Sequence, residues 1–327
     1  MRRLLILSLL LTASARADLL VVANRGGSTV TLVDPQTMSF LGTIPAGLDP
    51  HEVAVDGRYA YVSNYGGGTG NTISVVDLET RTKVKDLPIT PLLAPHGIVS
   101  VAGKIWFTAE HSRSVGRYDP ATDRIDWIGR TNQVGTHMLA VRADGGAVYT
   151  GNIGHSTASI IPVAGPESSA SATIPVVAGP EGVALSPDGK ELWLGSREFQ
   201  GISIIDVAQQ KVVATIAGGT FAYRLTFSPD GKYVLVPRQG EVVVFDAAQR
   251  GVARTIAVNS TPFSIVMAPD HRTAYVATGG PNQILKIDYT TGAITARVAL
   301  SALADGLAYA TSDSEPARGK RRSVKKP

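Results

Sequence analysis

The feature that most limits what this chain can fold into is a repeat. "EGVALSPDGKELWLGS" from 181, "YRLTFSPDGKYVLVP" from 223 and "FSIVMAPDHRTAYVAT" from 263 share one order: a short apolar strand, a turn built on Pro-Asp, and a second β-rich strand. Weaker copies start at His51, His96 and His137, so successive starts are separated by 45, 41, 44, 42 and 40 residues, and a further 42 reach Asp305 in "DGLAYA". The intervals also carry a third strand ending in aspartate, as in "NTISVVDLET" and "QILKIDYTTG", then a fourth such as "KVVATIAGG". One such unit cannot cover its own apolar faces, so neighbours must stack. Four short strands per 40 to 45 residues are the signature of a propeller blade.

The two ends of the repeat complete the count. It opens on a second-strand sequence, "LLVVANRG" at 19–26, and finishes with an orphan first strand at 305–310. Joining strand 305–310 to the three N-terminal strands gives an all-β, seven-bladed β-propeller over residues 18–311, with four antiparallel strands per blade and no free edge between the first and last blades. Closure of this kind is needed here because the chain has no cysteine to staple the ring. The same absence excludes thiol catalysis and cysteine-ligated metals.

Residues outside the repeat set expectations of their own. Arg2 and Arg3, the apolar run Leu4 to Leu11 and the triplet Ala15-Arg16-Ala17 have the pattern of a secretory signal peptide over 1–17, cleaved before Asp18, which predicts a periplasmic or secreted protein. The apolar run is shorter than the roughly 20 residues that span a bilayer, and no later stretch qualifies, so no transmembrane segment is expected. The net charge of +4 sits at the ends: residues 1–17 hold three basic residues, and the tail "SDSEPARGKRRSVKKP" at 312–327 holds six basic and two acidic ones. The body therefore carries 22 basic and 25 acidic residues. It presents no basic face, and no nucleic acid is expected as a partner. The apolar-poor tail reads as disordered. A monomer is expected, its partner a small molecule or a protein.

With the repeat in register, "YVSN" at 61–64 and "YVAT" at 275–278 stand at equivalent positions. On those tetrapeptides the chain resembles the YVTN family of seven-bladed propellers, in the lactonase and quinoprotein amine dehydrogenase-like superfamily. The resemblance covers 18–311 and implies the fold. It does not set an activity, since such propellers serve as binding surfaces, cofactor carriers and occasionally enzymes.

In a propeller the start of each first strand opens onto one mouth of the central channel. Those starts are His51, His96, His137, Glu181, Tyr223, Phe263 and Asp305. The loops after the second strands are expected at the same mouth and bring Arg25, Asn64, Tyr65, Glu110, His111, Asn152, His155, Arg197 and Arg238. Neutral imidazoles and carboxylates suit a divalent cation, so His51, His96, His137, Glu181 and Asp305 form a candidate set for zinc, copper or magnesium. Arg25, Asn64, Tyr65, His111, Asn152, His155, Arg197, Tyr223 and Arg238 are candidate ligand-binding residues around it. A histidine that plugs a wet channel through hydrogen bonds explains any one of His51, His96 or His137 as well as a metal does. Their shared position favours a common ligand. Trp106 and Trp193 lie in second strands and read as packing residues. "YGGGTGN" at 65–71 joins two strands rather than opening a helix, and so reads as a rim loop, not a phosphate loop.

Blade three carries a narrower resemblance. "PHGI" at 95–98, "GKIWFTAE" at 103–110 and "VGRYDPATDRI" at 115–125 resemble the repeat of streptogramin B lyases, magnesium-dependent propellers that open a cyclic depsipeptide by elimination. The resemblance implies a catalytic and metal-binding pair at His96 and Glu110. The alanine inserted before Glu110 is expected to push that carboxylate one residue beyond the strand end and reverse its facing. Three readings remain open: metal or small-ligand binding at a histidine-rich mouth, a metal-dependent lyase or lactonase-like hydrolase with His96 as base, and a protein-interaction scaffold using Tyr65, Tyr223 and Phe263.

Overall fold

The computed structural model of the chain describes residues 17–198, 201–217 and 221–312. Apart from residues 17 and 312, the expected signal peptide and basic tail lie outside the described residues. Seven sheets stand in a ring, each built on four antiparallel strands. Numbering the blades around the ring, the inner strands are Leu303–Ala310 for blade 1, Pro50–Asp56 for blade 2, Pro95–Val101 for blade 3, Thr136–Val141 for blade 4, Pro180–Leu185 for blade 5, Thr226–Phe227 for blade 6 and Thr261–Met267 for blade 7.

Burial explains why the repeats read as they do. The second and third strands of blade 2, Tyr59–Asn64 and Thr72–Asp77, are sandwiched between neighbouring blades and almost wholly buried, so both are near-continuous runs of apolar and small residues. The outer strand Thr82–Pro88 has one face in solvent and alternates accordingly. Trp106, Trp127 and Trp193 are fully buried between blades. The aspartate ending the third strand makes the turn into the fourth: Asp77 Oδ1 accepts from the backbone N–H of Glu79 and Thr80 at 2.9 and 3.1 Å.

The ring closes as the sequence requires. Leu303–Ala310 pairs with Leu19–Arg25 from Leu19↔Ala310 to Arg25↔Leu303, starting two residues earlier than expected. Two departures have local causes. The segment linking the last two strands of blade 4 swings back over blade 3, where Glu167–Ser169 adds a parallel fifth strand at the outer edge, held by Trp127 Nε1 donating to Ser168 Oγ at 3.2 Å. In blade 6 the inner strand shrinks to two residues because the chain from 221 to 225 turns toward the channel instead of pairing.

One irregularity recurs and matters for function. In six blades the pairing of the inner strand slips at its start: between Pro50 and Val53, Pro95 and Ile98, Thr136 and Met138, Pro180 and Gly182, Pro262 and Ser264, and around Asp305 and Gly306 opposite Val22 and Asn24. A bulge of this kind re-aims a side chain, and the re-aimed residues are those at the repeat starts. In blades 2 and 3 the bulge is tied down by a hydroxyl from the second strand. Ser63 Oγ accepts from Glu52 N at 3.0 Å and donates to His96 O at 2.7 Å; Thr108 Oγ1 accepts from Gly97 N at 2.8 Å and donates to His137 O at 2.6 Å. Each hydroxyl thus fixes its own bulge and clasps the next blade. Glycine follows the re-aimed residue where the next blade comes closest: a Cβ on Gly306 would lie 2.5 Å from Glu52 Cα, and one on Gly97 would lie 2.9 Å from His137 O.

Candidate functional site

The bulges turn His51, His96, His137, Glu181 and Asp305 into the channel mouth, all buried at the floor of a cavity of about 490 Å³. Two hydrogen-bonded chains organise this floor.

The first chain runs from Asp49 through His51 to His96. The Asp49 carboxylate can only accept, so His51 Nε2 donates to it at 3.3 Å. Nδ1 of His51 is then a lone pair and accepts from His96 Nε2 at 2.9 Å. That leaves Nδ1 of His96 as a lone pair, buried and without a hydrogen-bond partner. Asp305 Oδ2 also lies 3.2 Å from His51 Nδ1, out of hydrogen-bond alignment, with Arg25 3.7 Å and Arg224 3.8 Å away to offset its charge. Burial, reinforced by the positive charges of His137 and Arg224, holds His96 well below the ordinary imidazole pKa. Burial also lowers His51, against the pull of Asp305. Both rings are therefore neutral.

The second chain centres on His137. Its Nδ1 lies 3.0 Å from Glu110 Oε2, and its Nε2 lies 2.9 Å from Glu181 Oε1. Burial opposes a charge there, but the two carboxylates overcome it and push His137 up to about 9. Burial likewise works against ionised Glu181, while His137 and Arg224 hold it down at about 2. The His96 and His137 rings lie against each other with centroids 3.7 Å apart and planes tilted by 36°. One ring nitrogen of each, with one carboxylate oxygen of Glu110, lie within 4.8 Å of one another.

Arg224 joins the two sides. Buried in blade 6, it reaches across the mouth to Glu52 of blade 2, with Nε donating at 2.9 Å, and lies 3.5 Å from Glu181 and 3.8 Å from Asp305. Burial raises Glu52 above the usual carboxylate range, and Arg224 counters that rise. Neither Glu52 nor Arg224 figured among the sequence candidates. The available signal was their place in the repeat: they stand one residue after the repeat start, where blades 1, 3 and 5 have Gly306, Gly97 and Gly182.

The structure divides the remaining candidates. Arg25, Tyr65, Glu110, Arg197 and Tyr223 line the cavity together with Phe221 and Phe263. Glu110 does stand one residue past its strand, Lys104–Ala109, yet its carboxylate turns inward to His137. Tyr65 packs against His51 and His96, with ring centroids at 4.6 and 5.4 Å. Five candidates lie elsewhere. Asn64 and Asn152 are engaged inside their own blades, their amides donating to Thr72 and Ser74, and to Thr157 and Ser159. His111 is exposed beside Gly68 of the rim loop. His155 is exposed and bonds Gln133 at 2.8 Å. Arg238 lies over the Phe245 ring at 5.2 Å.

Comparison with known proteins bears on the fold. The family model for the YNCE-like beta-propeller matches residues 8–274. Among solved structures, Kuenenia stuttgartiensis Hydrazine Synthase is similar, with a TM-score of 0.69 and 17% identity over 86% of this chain and 92% of that one. At that identity the likeness is one of fold alone. No curated protein matches the chain.

Proposed function

The chain belongs to the YNCE-like beta-propeller family, and within that fold we propose that it is an exported binding protein whose mouth holds a divalent metal ion between His96, His137 and Glu110. The remaining coordination positions of the ion then hold a small ligand in the cavity. The observation that carries this reading is the cluster of His96, His137 and Glu110, which offer one ligand atom each within 4.8 Å of one another, together with a buried Nδ1 on His96 that has no hydrogen-bond partner. An unsatisfied buried acceptor is costly, and a cation is the group that would satisfy all three donors at once.

The surroundings support the same assignment. A metal-bound histidine usually donates its other N–H to a carboxylate or a relay of polar groups. His137 faces Glu181 in this way, and His96 faces His51 and then Asp49. In this reading His51, Glu181 and Asp305 are supports rather than ligands. Two imidazoles and one carboxylate favour zinc, copper or iron(II) over magnesium, which prefers oxygen donors.

Elemental analysis of purified protein, with cobalt(II) titration followed by visible absorption, tests the proposal. One equivalent per chain is expected, lost in the double variant Glu110→Gln, His137→Gln. Protein that carries no metal, takes up no cobalt and is not stabilised thermally by zinc overturns it. Export is tested by the mass of the mature chain, expected to begin at Asp18.

A further inference from the structure

The mouth has two unlike halves. Blades 2, 3 and 4 supply the imidazoles and Glu110, whereas blades 6 and 7 supply a wall of three partly exposed aromatic rings. Phe221 and Tyr223 stack with centroids 5.1 Å apart and planes 16° apart, and Phe263 continues the wall 5.8 Å from Tyr223. At the two seams between these halves stand Arg25 of blade 1 and Arg197 of blade 5. Their side chains are about half exposed, and their carboxylate contacts are loose, 3.7 Å to Asp305 and 3.5 Å to Glu181.

From this arrangement we infer that the cavity takes a planar aromatic carboxylate, its ring against Phe221, Tyr223 and Phe263 and its acid group toward Arg25, Arg197 and the metal position. A site for an inorganic ion has no use for three aromatic rings facing the cavity. A neutral aromatic ligand has no use for two guanidiniums whose ion pairs are long enough to exchange for a bidentate carboxylate. The rings offer stacking and the burial of apolar area, and about 490 Å³ is room for a one- or two-ring acid. The inference rests on the proposed metal centre only for the placing of the acid group. The wall and the arginines stand without it.

Calorimetric titration with three probes tests the inference: 2-naphthoate, its uncharged isostere 2-naphthamide, and the non-planar adamantane-1-carboxylate. Each is titrated into metal-loaded and chelator-stripped protein, and cobalt uptake is measured separately by absorption. 2-Naphthoate is expected to bind at least tenfold more tightly than either control. Tenfold or more of that affinity is expected to be lost in Arg25→Gln, Arg197→Gln, whose exposed positions leave folding intact, and in Tyr223→Leu, Phe263→Leu. Equal binding of the amide or of the adamantane acid overturns the inference. So does cobalt uptake without saturable naphthoate binding, which leaves the metal reading standing. Naphthoate binding with the expected preferences in protein that takes no cobalt sustains the inference and overturns the metal reading. Neither cobalt nor naphthoate binding overturns both.

Discussion

Replacing Arg224 with methionine is the sharpest test of how the mouth is held together. The guanidinium reaches from blade 6 to Glu52, Glu181 and Asp305, three carboxylates that are each no more than 7% exposed. Methionine fills much of the same volume but leaves those carboxylates without their shared cation. Removing one partner from a buried ion pair costs about 3–5 kcal/mol. At roughly 2 °C per kcal/mol for a chain somewhat longer than 150–250 residues, the melting temperature should fall by roughly 6–10 °C. The pH dependence gives a second, independent sign. Burial already raises Glu52, with Arg224 opposing, so in the variant the folded-state pKa of this carboxyl climbs further above its unfolded value. The native variant then binds more protons than its unfolded chain, and its stability rises as pH falls. The deficit against the parent protein should be largest near pH 8 and shrink toward pH 5. Adding Glu52→Gln should restore part of the loss, because it removes one uncompensated charge. Thermal unfolding by circular dichroism across that pH range is the assay. A loss below about 1 kcal/mol, well short of the buried-pair range, or a deficit that grows on acidification, refutes the view of Arg224 as the electrostatic strut of the mouth.

Three further outcomes are expected. Because the neighbouring carboxylates push His137 up to about 9, a metal must displace its proton, and cobalt affinity should rise about tenfold per pH unit from 7 to 9 and level off above; His137→Gln should abolish the slope. Asn64→Ala removes bonds to Thr72, Ser74 and Gly47 inside blade 2 and should cost about 1–3 kcal/mol while leaving the cobalt spectrum unchanged, as read by melting and absorption on the same sample. Gly306→Ala places a methyl 2.5 Å from Glu52 Cα and should cost about 1–3 kcal/mol by overpacking, measured by urea unfolding.

The repeat made most of this fold legible, because each start recurs at a nearly fixed interval and the bulge at that start carries its side chain to one place. His51, His96, His137, Glu181 and Asp305 could therefore be found without a structure. The loops beyond the second strands differ in length and carry no period, so position along the chain did not fix which side chains enter the cavity. Arg25 and Arg197 enter; His111 and His155 stay at the surface. Asn64 misled because it ends a strand at the rim, although its amide bonds the hydroxyls of the adjacent strand. Glu52 and Arg224 escaped because they stand one residue after the repeat start, at a position that is glycine in blades 1, 3 and 5. Glu167–Ser169 escaped because three residues are too few to show any alternation.

The closing strand sets an order in time as well as in space. Tyr309 donates its hydroxyl to Asp18 at 2.6 Å across 291 residues of chain, and the same strand carries Asp305, which faces both His51 and Arg224. A chain emerging from the ribosome can pair the strands of blades 2 to 7 as they appear. The ring and the floor of the mouth, however, wait for the same eight residues, Leu303–Ala310. Under the proposed binding role, occupancy of the mouth is a certificate of completion: a chain stopped before residue 303 lacks the seam and part of the floor together, and ligand would sort finished molecules from unfinished ones.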